Sequence, residues 1–314
     1  MKVLVTGAAG FIGSNLSKRL AKEGHVVTAA DSFLASHFSN LIDFPGDVLT
    51  LKGPEDLESI VRLGPFEVIY HQASITGVVT ADGTDTSQGA LQHQMLRNNV
   101  ETFRALLHWA ADTKARVVWA SSCSVYGRGP VPMRETQQPD PLNVYAFSKL
   151  TMERLALRLA PSLAHPIVGL RYTNVYGPGE DHKGKLASMI HQLAKQMRAG
   201  QRPRIFTAGE QRRDFVYIDD VVQSNLNALT SKKSGAFNVG GGMSSTFNEV
   251  IAELNRALKT NLEPDYFPNP YSFTQDATEA DLTESRKILG YEPRFNLRRG
   301  IEAYLSSGRL GVSM

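Results

Sequence analysis

The chain has 314 residues, 42% hydrophobic and 21% charged, with a net charge of +3. This is ordinary globular composition, enough for one large domain or two smaller ones, and it excludes a disordered or fibrous chain. The cations are scattered, without the basic blocks a nucleic-acid partner needs, and no stretch nears the roughly 18 consecutive apolar residues of a membrane span.

In chain order, "KVLVTG" (2–7) predicts a buried strand, and Phe11 to Glu23 a helix that ends before Gly24. "HVVTAAD" (25–31) is a second strand, "GDV" (46–48) closes a short segment, and "FEVIYHQAS" (66–74) is another strand. A helix follows over roughly 91–112, then the strand "ARVVWASS" (115–122). Tyr145 to Leu159 is helical and stops before Pro161, and "PIVGLRYTNVYG" (166–177) is the next strand. Such alternation builds right-handed βαβ units and a parallel sheet covered on both faces.

Beyond this point the rhythm loosens. "RPRIFTAG" and "RRDFVYIDD" predict short strands, 244–259 a helix with a Ser/Thr start, and 279–305 a helical tail broken at "GYEPRF". The expected fold is α/β, a doubly wound parallel sheet over 1–175 with a smaller, mostly C-terminal substrate-binding lobe over 176–314, some segments of which cross back. Ligands of such sheets bind at the carboxyl ends of the strands.

Gly7, Gly10 and Gly13 follow the first strand and open a helix, with Phe11 and Ile12 between the last two. Glycines here permit a tight turn and let the backbone approach a pyrophosphate resting on the helix N-terminus, as in Rossmann-type dinucleotide sites. Asp31 ends the second strand, where a carboxylate bonds the adenosine ribose hydroxyls and repels a 2′-phosphate. No Lys or Arg occurs from Ser32 to Leu51, so the expected cofactor is NAD rather than NADP. Asp47 is placed to hold the adenine amino group, with Val48 beside it. His71 and Ala73 fall at the end of the 66–74 strand beside the cofactor, and Asn99 is a scaffold residue among these contacts.

"YAFSK" puts Tyr145 and Lys149 on one helix face, one turn apart. A neighbouring ammonium and a positively charged nicotinamide are expected to lower the phenol pKa, making a base for an alcohol proton. In "SSCSVYG" (121–127) the serine hydroxyls sit at the carboxyl edge of the sheet, where Ser122 can donate to a substrate oxygen becoming a carbonyl.

The motifs "TGAAGFIGSNL", "ASSCSVYG", "PLNVYAFSK", "RYTNVYGP" and "RRDFVYIDDVV", in this order, resemble the extended short-chain dehydrogenase/reductase family of nucleotide-sugar epimerases and dehydratases. The resemblance implies that Ser122 and Tyr145 act on a sugar hydroxyl while Lys149 binds the nicotinamide ribose. "RYTNVYGPGEDHKGKLASM" (171–189) with "FTQ" and "ADLT" is similar to the ADP-glycero-manno-heptose 6-epimerases. That similarity implies oxidation at C6 of the heptose, re-reduction on the opposite face, and a second acid/base at Lys183.

Asn174 and Arg213 are the expected diphosphate anchors, the latter by bidentate contact, and Ser124 and Tyr271 are further expected substrate contacts. A UDP-hexose 4-epimerase is the chief alternative. A dehydratase is disfavoured because Cys123 and Ser124 stand where it needs acids, and a non-catalytic NAD sensor would not be expected to keep both Tyr145 and Lys149. No metal-ligand spacing occurs. A single cysteine and a glycine-broken N-terminus suit a cytoplasmic protein, and the family implies a homo-oligomer.

Overall fold

The computed structural model describes residues 1–51, 63–76, 89–268 and 277–312, together with Asp56 and Ile60. Its first strand, β1 (Lys2–Thr6), lies in the middle of a seven-stranded sheet, and Val3, Leu4 and Val5 are fully buried. A continuous apolar run is what a strand covered on both faces requires. Around it stand β2 (Val26–Asp31), β3 (Asp47–Thr50), β4 (Val68–His71), β5 (Arg116–Ser122), β6 (Val168–Tyr172) and β10 (Gly235–Val239). The order is β10-β6-β5-β4-β1-β2-β3, and every pairing is parallel.

The strand order reverses at β1. The chain first moves outward through β2 and β3, then returns to lay β4, β5 and β6 on the other side. A crevice opens at such a switch point, outside the carboxyl ends of β1 and β4. There Thr6 pairs in register with His71, and their side chains meet at 2.7 Å. Helix α1 (Phe11–Lys22) starts directly beyond the glycine turn.

Two expected elements are built differently. The helix over 91–112 is α2 (Gly89–Leu96), a π-helical turn (Arg97–Glu101) and α3 (Thr102–Thr113). The strand expected over 166–177 is two strands in two sheets. β6 ends at Tyr172, and β7 (Asn174–Tyr176) pairs with β9 (Arg212–Tyr217), itself paired with β11 (Ser244–Thr246). Thr173 still donates its N–H to Val239 of β10, after which the chain leaves the large sheet. The aromatic and β-branched character runs on into β7, so periodicity does not mark the break.

Helix α4 (Val144–Leu159) starts at an Asn143 cap, whose side chain accepts the Ala146 N–H. After β7 come a short 3-10 segment (Asp181–Leu186) and α5 (Met189–Arg198). β8 (Arg204–Phe206) pairs with β12 (Asp265–Phe267). α6 (Ile218–Ala228) precedes β10, and α7 (Phe247–Leu258) opens with a Thr246–Glu249 capping box. Helices α8 (Thr283–Leu289) and α9 (Leu297–Ser306) follow towards the C-terminus, Ser285 of α8 donating to the Asn238 carbonyl of β10. No described helix is long and apolar enough to cross a membrane.

Candidate active site

The crevice begins at the glycine turn. Gly7 has φ +69°, and a Cβ there would lie 2.5 Å from the Ala73 backbone nitrogen. A Cβ on Gly13 would lie 2.1 Å from the Gly7 carbonyl oxygen. Both positions therefore require glycine, which lets α1 start tight against β1. Gly10 caps α1 without a side chain, leaving the first-turn N–H groups for an anion.

Gly7, Gly10, Asp31 and Ala73 line one cavity of about 150 Å³. Asp31 also braces the turn. One carboxylate oxygen accepts the Ala9 N–H at 2.8 Å, and the other accepts the Phe33 N–H and the Ser36 hydroxyl, each at 2.8 Å. Ser32, Leu34, Ala35 and Ser36 line the same cavity, and among the described residues no Lys or Arg lines it to receive a 2′-phosphate. The glycine cradle, the uncapped helix start and the carboxylate fit a dinucleotide without that phosphate.

Four expected cofactor contacts do not line this cavity. Asp47 and Val48 start β3 opposite Thr28 and Ala29, away from the carboxyl end where Thr50 meets Asp31. Both are exposed, and Leu51 lines the cavity instead. Asn99 is fully buried, bonding both the N–H and carbonyl of Ile75 and the Ser148 hydroxyl. It is scaffold, and Asn98 lines the cavity. The two asparagines sit in the π-turn, where side-chain register departs from the 3.6-residue period. His71 lines neither cavity. It is 1% exposed, stacks on Phe103, and burial pushes its pKa down to about 3, with Lys149 adding to the fall.

A second cavity, about 910 Å³, is lined by residues of the large sheet and of the two smaller sheets. Phe11, Ile12, Ser122, Tyr145, Asn174, Lys183 and Arg213 all line it. Ser122 ends β5, and its hydroxyl accepts the Ser124 N–H at 3.1 Å. Tyr145 stands at the start of α4, with the Lys149 ammonium 5.7 Å from its ring centroid. Lys149 is 1% exposed and donates to the Ala120 carbonyl at 2.7 Å.

The electrostatics of this pair run opposite to the expected lowering of the phenol pKa. Desolvation raises Tyr145 to about 12, against the hydrogen bond with Ser122, which lowers it. Burial lowers Lys149 to about 7, partly offset by the Glu153 carboxylate one turn further along α4. Low surrounding dielectric penalises both charged forms, and the lysine has the larger penalty because it is the more enclosed.

Behind Lys149 lies a network that no motif announced. Arg171 and Glu153 form a two-pronged ion pair at 2.8 and 2.6 Å with side chains 7% and 6% exposed. Ser121 donates to Glu153 at 2.6 Å, and Arg171 to the Tyr126 hydroxyl at 2.7 Å. The sequence signal was present, a Glu four residues beyond Lys149 and an Arg in an apolar strand, but reading it required the β5–β6 register.

Lys183 extends from the 3-10 segment to within 5.5 Å of the Phe11 ring centroid. Asn174 is exposed at the start of β7 and accepts the Thr278 hydroxyl at 3.4 Å. Arg213, on β9, packs 5.9 Å from the Phe247 centroid. Ser124 does not line the cavity, and its Oγ is buried without a hydrogen-bond partner. Tyr271 lies outside the described residues. No group of metal-ligating side chains gathers among the described residues.

This architecture is similar to known proteins over its full length. A curated relative, the ADP-L-glycero-D-manno-heptose-6-epimerase of Alkalilimnicola ehrlichii, is 34% identical, with 97% of each chain covered. The Helicobacter pylori enzyme of that name has a solved structure with TM-score 0.88 and 35% identity, covering 98% of this chain and 95% of that one. The UDP-glucose 4-epimerase of Thermotoga maritima also matches at TM-score 0.88, with 28% identity, covering 98% and 99%. The model of the NAD dependent epimerase/dehydratase family matches residues 3–240, and the chain belongs to that family.

Proposed function

We propose that the protein is an NAD-dependent epimerase of ADP-glycero-manno-heptose, inverting C6 by oxidation to a ketone and re-reduction on the opposite face. The observation that carries this reading is the single cavity that Ser122, Tyr145 and Lys183 all line. A 4-epimerase needs one acid/base and a sugar that turns over, whereas a second acid/base in the same cavity serves a carbonyl that presents its other face. The names of the relatives support the same substrate.

NAD, when bound, supplies a reversible hydride acceptor for one sugar carbon. Tyr145 takes the C6 hydroxyl proton, and Ser122 hydrogen-bonds the same oxygen as it becomes a carbonyl. Lys149, fixed by the Ala120 carbonyl, is placed to hold the nicotinamide ribose and to favour the phenolate when charged. Lys183, lining the same cavity, delivers a proton to the C6 oxygen when the hydride returns to the opposite face. Arg213 and Asn174 line the cavity for the diphosphate, where a guanidinium offers paired donors. The buried, unpaired Cys123 accords with a cytoplasmic enzyme, and the family suggests a homo-oligomer, which light scattering would establish.

The test is product analysis by NMR on a panel of ADP-heptose, UDP-glucose and UDP-N-acetylglucosamine. Inversion at C6 of ADP-heptose is expected. Inversion at C4 of a UDP-hexose, with ADP-heptose untouched, would overturn the proposal.

A further inference from the structure

Lys183 rides on a loop from Gly177 to Ser188 that a buried carboxylate closes from within. Glu180 is fully buried. One of its oxygens accepts the Gly177 N–H at 3.1 Å and the Ser188 hydroxyl at 2.9 Å, and the other accepts the Ser188 N–H. Both ends of the loop are thus tied to one side chain. An isolated carboxylate would be expelled from such a place. These donors hold it there, with Tyr304 close by, whose hydroxyl meets Nδ1 of His191 at 2.7 Å.

The same loop is fastened to the cofactor turn from outside. The Asn40 amide donates to the Ala9 carbonyl at 3.0 Å and to the Gly179 carbonyl at 3.2 Å. Asn15 of α1 donates to the Pro178 carbonyl at 2.9 Å. The loop is therefore held rigidly at the point where Lys183 enters the cavity.

The charges around it are unequal in reach. Asp181 is engaged by Arg309 at 3.1 Å, and Lys185 is exposed. His182 bonds the Gly179 carbonyl, and its pKa is lowered by burial, with Lys183 and His37 adding to the fall. His191 is also lowered, again by burial first. For Lys183 itself, desolvation lowers the pKa and the Glu180 carboxylate raises it. For Glu180, desolvation raises the pKa and Lys183 lowers it.

We propose that Glu180 is the positioning residue for Lys183: it closes the loop beneath the lysine and supplies the counter-charge that lets an ammonium stand in the cavity wall. This rests on the reading of Lys183 as the second acid/base. It makes Glu180 part of the epimerisation machinery although it does not touch the sugar.

Glu180→Gln keeps the shape and one carbonyl acceptor but removes the charge. In the direction in which Tyr145 takes the first proton, Lys183 must arrive protonated. Without the carboxylate it loses its proton at lower pH, so the alkaline limb of the kcat profile moves down by about one pH unit. KM for ADP-heptose and the NAD affinity, read by fluorescence, stay within about threefold, because no binding contact is lost. Glu180→Asp restores the charge on a shorter arm, so it returns the limb to its wild-type position while kcat stays reduced.

An unmoved limb in a folded Glu180→Gln protein overturns the proposal. If that variant does not fold, Glu180→Asp decides alone, since a wild-type kcat there also overturns it. Lys183→Met separates the two claims. Wild-type epimerisation in Lys183→Met removes the second acid/base reading itself. An inactive Lys183→Met beside a wild-type profile in Glu180→Gln removes only the role of Glu180.

Discussion

Replacing Lys149 with methionine should abolish epimerisation and make the cofactor-free protein more stable. In the folded chain burial, outweighing Glu153, lowers the lysine from 10.5 to about 7. The unfolded chain keeps its proton to about pH 10.4. Between these limits the unfolded state binds more protons, so wild-type stability rises with pH by about 1.4 kcal/mol per pH unit. At pH 7 the enclosed lysine costs about 4 kcal/mol, and at pH 9 about 2 kcal/mol. Loss of the Ala120 hydrogen bond in the variant takes back about 1 kcal/mol at either pH. Lys149→Met is therefore expected to exceed wild type by about 3 kcal/mol at pH 7 and by about 1 kcal/mol at pH 9. Urea unfolding followed by the fluorescence of the buried Trp109 and Trp119 measures both. A difference that stays constant from pH 7 to pH 9 would refute the argument, because it would mean that Lys149 keeps its proton on folding.

Tyr145→Phe should lower kcat by about 10² to 10⁴ while leaving NAD binding intact; a rate near wild type would remove the tyrosine from the chemistry. Gly13→Ala places a methyl against the Gly7 carbonyl oxygen and should abolish NAD binding in calorimetry. Arg171→Met leaves the Glu153 carboxylate buried with the Ser121 hydroxyl but without its cation, so it should destabilise by about 3 to 5 kcal/mol in urea unfolding. A loss below about 1 kcal/mol would show that water reaches the pair.

What could be read ahead of the structure was whatever depends on short-range pattern. The buried runs of β1, β2, β4, β5 and β6 and the glycine turn announce a parallel sheet and its nucleotide edge, because covered strands are apolar throughout and the turn tolerates no side chain. Tyr145 and Lys149 could be paired from helix geometry alone. What could not be read depends on registers between distant segments. Thr173 marks the exit from one sheet into another, within an apolar run that gives no sign of it. Asp47 looked well placed until its pairing with Thr28 put it at the wrong end of β3. Asn99 is the scaffold residue expected of it, while its neighbour Asn98, in the same π-turn, lines the cofactor cavity without a signal in the sequence. The lowering expected for the Tyr145 phenol assumes a cationic nicotinamide beside it; in the cofactor-free chain desolvation, which a sequence does not display, is the largest cause and raises it.

The central claim is that one carbon, C6, is oxidised and re-reduced with its own hydride returned on the other face. ADP-heptose carrying deuterium at C6 tests it directly in ordinary water, with NMR and mass spectrometry of the product. The account predicts inverted C6 with the deuterium retained. Inversion with the label replaced by solvent hydrogen, or recovery of the sugar unchanged, would contradict it.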